Sequence, residues 1–174
     1  MENSRFVFID ESGAKTNMTR LYARAFDGKR IVDAVPHGHW STTTMISALR
    51  LDGSTVDLVL EGATDSAVFR TYAEHILAPS LRPGDIVVMD NLRPHKNAGV
   101  LKVLEATGAA IWFLPPYSPD LNPIEKMWSK IKAYLRKVKA RTKEELWQAI
   151  GAALKTVTAS DALGWFTSCG YTHS

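Results

Sequence analysis

Two short apolar segments, RFVFID at residues 5–10 and DIVVMD at residues 85–90, constrain the fold of this chain most strongly. Each is made largely of β-branched, aromatic or other apolar residues, and each ends in an aspartate. Such a run is typical of a strand that is buried on both faces, as in the sheets of α/β proteins. The two segments therefore predict two central strands of a sheet, with Asp10 and Asp90 at their carboxyl ends.

The other segments predict hairpins first, and then alternating strands and helices. An Asp-Gly pair between two strand-like segments is a strong hairpin signal. The two predicted hairpins comprise residues 21–26 and 31–35 around Asp27-Gly28, and residues 43–51 and 55–60 around Asp52-Gly53. The next prediction is a helix that begins at a Thr64 or Asp65 cap and ends before Pro79. A helix over residues 96–107, closed by Gly108, and a strand over residues 110–114 follow. A long helix is then predicted after the proline-rich turn 115–123, and a last helix over residues 143–157. This order predicts a sheet with an antiparallel part and a parallel part.

Composition predicts one folded domain over residues 1–174. The chain is 45% hydrophobic and 22% charged, which excludes a disordered or collagen-like protein. Because no apolar stretch is long enough to cross a membrane and the N-terminus lacks a signal-peptide pattern, we expect a cytoplasmic protein with no membrane partner. The single cysteine, Cys169, excludes an internal disulfide and a cysteine-based zinc site.

Charge is distributed unevenly along the chain. Residues 1–90 carry 9 Lys and Arg against 12 Asp and Glu, whereas residues 91–174 carry 12 against 6. Residues 126–143 contain eight basic residues and no acidic one. Such a run is either a solvated helix face or a surface that binds a polyanion, and composition does not distinguish the two.

The strand-ending aspartates are the first candidates for a functional site. Either one alone has a structural explanation, because aspartate can form an Asx turn at the end of a strand. If their strands are neighbours, the carboxylates of Asp10 and Asp90 meet in one crevice, where like charges require a cation. No His or Cys lies nearby with the spacing of a soft-metal site, which favours Mg²⁺ or Mn²⁺.

Glu125, at the start of the predicted long helix, is the third candidate. With Asn122 as N-cap and Pro123 at the first helical position, Glu125 would also suit a capping box, so two interpretations remain open. The predicted helix has a buried stripe of Ile124, Trp128, Ile131, Leu135 and Val138, a polar row of Glu125, Ser129, Lys132 and Arg136, and a basic row of Lys126, Lys130 and Lys137. A row that begins acidic and becomes basic suits a metal ion at the head of the helix and phosphates along its body.

Three segments of the chain, FIDESG, VVMDNLRPHK and LPPYSPDLNPIEKMWSKIK, resemble the catalytic blocks of the mariner-type superfamily of insertion-sequence transposases. The last block is the longest and most specific, and the resemblance extends from Phe6 to at least Lys132. It implies a ribonuclease-H-like fold, shared with retroviral integrases: a central mixed five-stranded sheet, helices on both faces and an inserted β-hairpin. It also implies an acidic catalytic and metal-binding triad of Asp10, Asp90 and Glu125, whose last two members are separated by the 34 residues typical of such enzymes.

The resemblance further implies cleavage of double-stranded DNA at transposon ends and strand transfer into target DNA. Two Mg²⁺ or Mn²⁺ ions would serve this reaction, and a homodimer would assemble on the DNA, in the cytoplasm and nucleoid of a bacterium. Supporting roles near the substrate follow for Asn91, His95 and Lys96, and the basic rows add further expected phosphate contacts. The expected DNA-binding residues are Asn91, His95, Lys96, Lys126, Lys130, Lys132 and Arg136.

One departure from the family pattern concerns end recognition. Complete transposases of this type carry helix-turn-helix modules ahead of the catalytic region, and no segment of this sequence resembles them. We therefore expect a catalytic half, either a truncated chain or the product of a split reading frame. Such a chain would bind duplex DNA weakly and with little regard to sequence.

Several residues have competing interpretations. Asp120 is a rival third ligand, although its place in a turn favours a structural role. Glu11 follows Asp10 directly and should point to the opposite face of the sheet. His95 follows a proline at a predicted helix start, where it would contact phosphate, cap the helix or pack. His37 and His39 lie in a glycine-containing loop, which favours exposure over metal binding.

Three alternative functions also remain open. A phosphotransferase with an aspartyl nucleophile would begin with a strand-ending aspartate, but it normally needs a second aspartate two positions later, where this chain has Ser12. A ribonuclease-H-like nuclease that acts on hybrid or branched nucleic acid would share the acidic triad. The third alternative is a transposase remnant that binds DNA without catalysis.

Overall fold

A five-stranded mixed sheet forms the centre of the computed structural model, which describes residues 3–22, 24–25, 29–35, 38, 40–92 and 94–171. The strands are β1 (Phe6–Lys15), β2 (Thr42–Arg50), β3 (Thr55–Glu61), β4 (Ile86–Met89) and β5 (Ala110–Phe113). Their order across the sheet is β3-β2-β1-β4-β5. The β3–β2 and β2–β1 pairs are antiparallel, whereas the β1–β4 and β4–β5 pairs are parallel. The predicted combination of antiparallel and parallel parts is confirmed.

Five α-helices accompany the sheet in the described residues. They are α1 (Ser66–Tyr72), α2 (Ala98–Glu105), α3 (Pro123–Val138), α4 (Lys143–Leu154) and α5 (Ala159–Ser168). The first helix continues as a π-helical turn over Ala73–Leu77 and a 3₁₀ turn over Ala78–Ser80. Short 3₁₀ turns also cover Asn3–Arg5, Pro94–Lys96 and Pro119–Leu121. None of the described helices combines the length and the apolar character that crossing a bilayer requires.

Two hydrophobic cores lie on opposite faces of the sheet, because neighbouring side chains of a strand point to opposite sides. Phe6 and Phe8 of β1 join the core beneath α3, α4 and α5. Val7 and Ile9 of the same strand join the core beneath α1 and α2. This is why β1 reads as a continuous apolar run, and it confirms helices on both faces.

The predicted helix starts are formed by side-chain caps. The Asp65 carboxylate accepts hydrogen bonds from the backbone N–H groups of Ala67 (2.9 Å) and Val68 (2.8 Å) at the start of α1. Thr142 and Glu145 form the expected reciprocal capping box at the start of α4. These caps satisfy backbone donors that the first turn of a helix otherwise leaves unpaired.

The C-terminal region contains one more helix than the sequence analysis predicts. Instead of one helix over residues 143–157, α4 ends at Leu154 and α5 begins at Ala159. Thr158 and Asp161 form a second capping box at the start of α5. That Thr-x-x-Asp spacing was the available sequence signal for a new helix.

Two further predictions differ from the structure. Residues 21–22, 24–25 and 31–35 of the predicted first hairpin lie in neither helix nor strand, and its Asp27-Gly28 turn lies outside the described residues. Val138 was predicted in the buried stripe of α3, but it is 46% exposed, and Met127 is fully buried instead. Val138 lies in the last helical turn, immediately before Lys139 adopts the left-handed conformation that ends the helix.

Candidate active site

The sheet topology brings the two strand-ending aspartates together. β1 and β4 are parallel neighbours in which Phe8 pairs with Val88. Asp10 and Asp90 each lie two positions beyond that pair, so both side chains are directed toward the same face of the sheet. This face is the one that α3 covers.

The start of α3 adds the third carboxylate. Glu125 lies in the first turn of α3, and Asn122 occupies the N-cap position. The Asn122 side chain makes no capping hydrogen bond, so the capping box considered for Glu125 is not formed. Glu125 instead lines the same pocket as Asp10 and Asp90.

This pocket has a volume of about 540 Å³ and two kinds of wall. The polar side chains that line it are Asp10, Asp90, Asn91, Lys96, Ser118, Asn122 and Glu125. The apolar and aromatic side chains are Leu92, Leu114, Pro115, Pro116, Tyr117 and Pro119. An acidic region thus lies beside an apolar mouth built by the loop between β5 and α3.

Asp10 has the most perturbed carboxyl group of the site. Asp10 is only 8% exposed. This burial is the main reason that its pKa rises from 3.8 to about 7. The negative charges of Glu125 and Asp90 raise this pKa further, whereas a backbone hydrogen bond from Glu11 and the His95 charge oppose the rise. A cation bound between the carboxylates would remove the repulsion.

His95 fixes the position of Asp90. It is 1% exposed, its Nδ1 lies 2.6 Å from Oδ1 of Asp90, and its ring packs 4.3 Å from that of Phe69. On its other side, Nε2 lies 3.6 Å from Oε1 of Glu11. This burial favours the packing role considered for His95, and its expected contact with DNA stays a prediction.

The charges of His95 and Asp90 support each other. Burial lowers the pKa of His95, but its contacts with Asp90 and Glu11 outweigh that effect and raise the pKa to about 9. For Asp90, burial acts in the opposite direction and raises the pKa. Hydrogen bonds from His95 and from the backbone N–H of Leu92 outweigh this effect and lower the pKa of Asp90 from its usual value of 3.8. Asp90 is therefore an oriented carboxylate at neutral pH, in contrast to Asp10.

The donor set of the pocket matches a hard divalent cation. Asp10, Asp90 and Glu125 offer only carboxylate oxygens, the ligands that Mg²⁺ and Mn²⁺ prefer. Among the described residues, however, no three His, Cys, Asp or Glu side chains already converge on a point from which one ion would contact all of them. Repulsion between the three carboxylates keeps them apart when no cation is bound. Their oxygen atoms suit a divalent cation, but the side chains would need to move closer together to bind it.

The basic residues of α3 differ in their surroundings. Nζ of Lys130 donates to the backbone carbonyl of Thr156 (2.7 Å) and to the Asp161 carboxylate (2.5 Å), and so ties α3 to the start of α5. Two of its three donors therefore serve the protein, and the expected contact of Lys130 with DNA stays a prediction. Lys126 is exposed, and Lys132 and Arg136 are partly exposed.

Two residues expected near the substrate do line the pocket. Lys96 is exposed, with its ammonium 5.8 Å from the centre of the Phe113 ring. The Asn91 side chain donates a hydrogen bond of 3.1 Å to the backbone carbonyl of Leu114. Asn91 thereby links the loop after β4 to the loop after β5, and both loops contribute residues to the lining of the pocket.

The competing candidates lie elsewhere. Asp120 is exposed in the 3₁₀ turn before α3 and is not among the residues that line the pocket. Glu11 points away from Asp10 and toward His95, as the alternation of the strand predicts. His37 and His39 lie outside the described residues.

Comparison with known proteins places this geometry in a family. Residues 5–147 match the family model described as DDE superfamily endonuclease. The chain belongs to the DDE superfamily of endonucleases. The matched range contains Asp10, Asp90 and Glu125, and it includes all five strands of the sheet.

Curated relatives of this DDE superfamily chain include two transposases of Caenorhabditis briggsae. The Tcb2 transposable element transposase is 26% identical over 164 residues, which cover 86% of this chain and 58% of the relative. The Tcb1 transposase is 27% identical over 100 residues, which cover 55% of this chain and 37% of the relative. The chain thus spans about half the length of the curated relatives it matches.

Solved structures agree on the fold. The Mos1 transposase paired-end complex with the left transposon end superimposes with a TM-score of 0.77 at 17% identity, covering 95% of this chain and 52% of the other. The Mos1 strand transfer complex gives a TM-score of 0.70 at 18% identity, covering 95% and 51%. The DDE superfamily chain therefore has the ribonuclease-H-like fold that the sequence resemblance implied.

Sequence reasoning missed two features of the site. The contact between His95 and Glu11 joins residues 84 positions apart, and no spacing rule predicts it. The proline-rich segment after β5 is predicted only as a turn, whereas in the structure its Tyr117 lines the pocket. Its Pro-Pro-Tyr-Ser-Pro sequence was the available signal, because prolines on both sides hold an exposed aromatic residue in a fixed place.

Proposed function

We propose that this chain is the catalytic domain of a DNA transposase, which cleaves phosphodiester bonds at the ends of a mobile element and joins those ends to target DNA. The carrying observation is that Asp10, Asp90 and Glu125 line one pocket of a ribonuclease-H-like fold. Membership of the DDE superfamily supports the same activity. So do the Mos1 structures, since those proteins were solved with a transposon end and as a strand transfer complex.

In this proposal the three carboxylates hold two divalent cations, Mg²⁺ or Mn²⁺. The cations would activate the attacking hydroxyl and neutralise charge on the leaving oxygen during in-line displacement at phosphorus. Mos1 structures with Mn and with Mg support the choice of metal. Asp10, whose pKa is about 7 without a cation, would give up its proton when cations bind.

The surrounding residues position the reactants. His95 holds the Asp90 carboxylate in a fixed orientation through the 2.6 Å contact, and Asn91 fastens the two loops at the pocket mouth. Lys96 at the rim would contact the phosphate that enters the pocket. Lys126, Lys132 and Arg136 would bind phosphates further along the duplex, and such contacts position DNA without reading its sequence.

Assembly and location complete the proposal. Double-stranded DNA, both transposon end and target, is the proposed partner, and two copies of the chain would act together on the DNA. The proposed location is the bacterial cytoplasm, where the protein would associate with the nucleoid. Recognition of a specific end sequence would need base contacts in a DNA groove, which phosphate contacts do not supply.

Metal-dependent DNA cleavage tests this function directly. Supercoiled plasmid should be nicked in Mg²⁺ or Mn²⁺, and nicking should stop on addition of a chelator. Asp90→Asn should abolish nicking in a chain that still folds, although it unfolds at a lower temperature because His95 loses its charged partner. Asp120→Asn is the matched control, because Asp120 is an exposed carboxylate outside the pocket. Full nicking by Asp90→Asn would refute the assignment.

A joining assay separates a transposase from a nuclease of the same fold. An oligonucleotide duplex with a free 3′-hydroxyl should become covalently attached to the plasmid in the presence of the divalent cation. Nicking without any joined product would support the nuclease that acts on hybrid or branched nucleic acid. Binding of DNA with neither nicking nor joining would identify an inactive remnant.

A further inference from the structure

Tyr117 combines two unfavourable features at the mouth of the pocket. Its side chain is 101% exposed, the highest value among the large hydrophobic residues of the described chain. Its backbone also adopts φ = 57°, in the left-handed region. A bulky side chain there is a genuine outlier, and such strain persists only where the surrounding structure imposes it. An exposed and strained aromatic residue at a candidate active site is therefore a reason to look for its ligand.

The loop around Tyr117 is held firmly at both ends. Prolines precede it at 115 and 116 and follow it at 119, and each fixes one backbone dihedral. The loop begins at Leu114, whose carbonyl accepts the Asn91 hydrogen bond of 3.1 Å. It ends at Leu121, whose backbone N–H donates a hydrogen bond of 3.2 Å to the backbone carbonyl of Ser118. The ring of Tyr117 is thus presented from a stiff support, which lowers the entropic cost of binding a partner.

The chemistry of the pocket indicates what the ring would bind. Tyr117 lines the same cavity as the three carboxylates. In the loop after β4, Leu92 is 54% exposed and lines the cavity as well. The ligand should therefore combine an anionic group for the cation-binding region with a flat apolar group for the mouth. A nucleotide unit has both parts, because its phosphate is adjacent to a base with two π faces.

We propose that Tyr117 stacks on an unpaired nucleobase next to the phosphodiester that reacts at Asp10, Asp90 and Glu125. This inference rests on the proposed function. In the interior of a duplex both faces of a base are covered by its neighbours, so an unpaired base offers the tyrosine ring a face that a stacked base does not. Tyr117 would thus be a positioning residue that favours frayed or opened DNA ends.

The inference predicts that binding depends on the bases of a single-stranded overhang. The probes are three short duplexes of the same sequence: one blunt, one with a three-nucleotide 3′ overhang, and one whose overhang nucleotides are abasic. Fluorescence anisotropy in Ca²⁺ measures their affinities. The normal chain should prefer the overhang with bases by about 5- to 150-fold over the abasic one, the range expected for one base stacked on an aromatic ring.

Variants of Tyr117 make the test specific. Tyr117→Ala should lose this preference, and Tyr117→Phe should retain it. Tyr22→Ala is the matched control, because Tyr22 is also an exposed tyrosine, 91% exposed, but does not line the pocket. Tyr117→Gly should lose the preference while unfolding at the same or a higher temperature, since glycine adopts positive φ without strain. This variant keeps the test valid if Tyr117→Ala fails to fold.

Two results would overturn the inference. One is an unchanged overhang preference in Tyr117→Ala, and the other is an equal loss of preference in Tyr22→Ala. Plasmid nicking by the normal chain is measured in parallel. Nicking without an overhang preference refutes the role of Tyr117 alone, whereas the absence of nicking refutes the proposed function.

Discussion

Replacing Asp10 with asparagine should stabilise the protein above neutral pH in the absence of divalent cations. Asparagine has nearly the same shape as aspartate but carries no charge, so Asp10→Asn removes the group that is most costly to ionise in the pocket. Burial, together with the charges of Glu125 and Asp90, raises the pKa of Asp10 from 3.8 to about 7. A rise of about three pH units corresponds to about 4 kcal/mol of unfolding free energy.

The sign of the effect follows from proton binding. Between about pH 4 and pH 7, the folded state keeps the Asp10 proton that the unfolded chain has already released. The contribution of Asp10 to the unfolding free energy therefore falls as the pH rises through this window, and it is constant below and above it. Asp10→Asn should match the normal chain near pH 4 and exceed it by up to about 4 kcal/mol at pH 8.

Urea denaturation in metal-free buffer at several pH values measures this difference. At pH 8, Mg²⁺ should then stabilise the normal chain, by about 2.7 kcal/mol when the cation is at 100 times its dissociation constant, but it should stabilise Asp10→Asn much less. Asp57→Asn is the matched control, because burial also raises the pKa of Asp57 but this residue does not line the pocket. A pH-independent difference between Asp10→Asn and the normal chain, or an equal Mg²⁺ response in the two proteins, would refute the reasoning.

Two further predictions concern ion pairs and DNA contacts. In the structure the buried Arg50 guanidinium lies 2.7 Å from the Asp85 carboxylate. Asp85→Asn leaves this guanidinium without a charged partner, so it should lower the unfolding free energy measured in urea by about 3–5 kcal/mol. A loss below about 1 kcal/mol would contradict this. Lys132→Ala and Arg136→Ala should each reduce the slope of log affinity for duplex DNA against log salt by about one. Lys130→Ala should instead lower the unfolding temperature and leave the slope unchanged, and the opposite pattern would reverse these roles.

The central layout could be predicted from sequence because local patterns encode it. The apolar runs before Asp10 and Asp90 specify strands that are buried on both faces, and parallel neighbours place their carboxyl ends together. Caps at Asp65 and Thr142 specify helix starts through their own side-chain chemistry. Each of these signals lies within a few residues of the feature it predicts.

Features that depend on distant residues could not be predicted in this way. The Gly53 turn packs so closely on α5 that a Cβ atom at Gly53 would lie 2.6 Å from the carbonyl carbon of Thr158. His95 is buried by Phe69 and paired with Asp90, so its environment is set by the packing of α1 against the 3₁₀ turn Pro94–Lys96. The sequence likewise places Lys130 in a basic row on the helix surface. Its ammonium partners, the Thr156 carbonyl and the Asp161 carboxylate, lie at least 26 positions away along the chain.

The central claim is that three carboxylates act together on a phosphodiester. The most direct test of this claim is the metal-dependent nicking rate of Glu125→Gln. Glutamine keeps the shape of the side chain and suits a capping box equally well, but it removes one negative charge from the pocket. Nicking should fall to the level of the chelator-treated reaction, while the unfolding free energy changes by no more than about 0.5 kcal/mol, as expected for an exposed position. Nicking at the rate of the normal chain would show that Glu125 has only a structural role and would contradict the proposed triad.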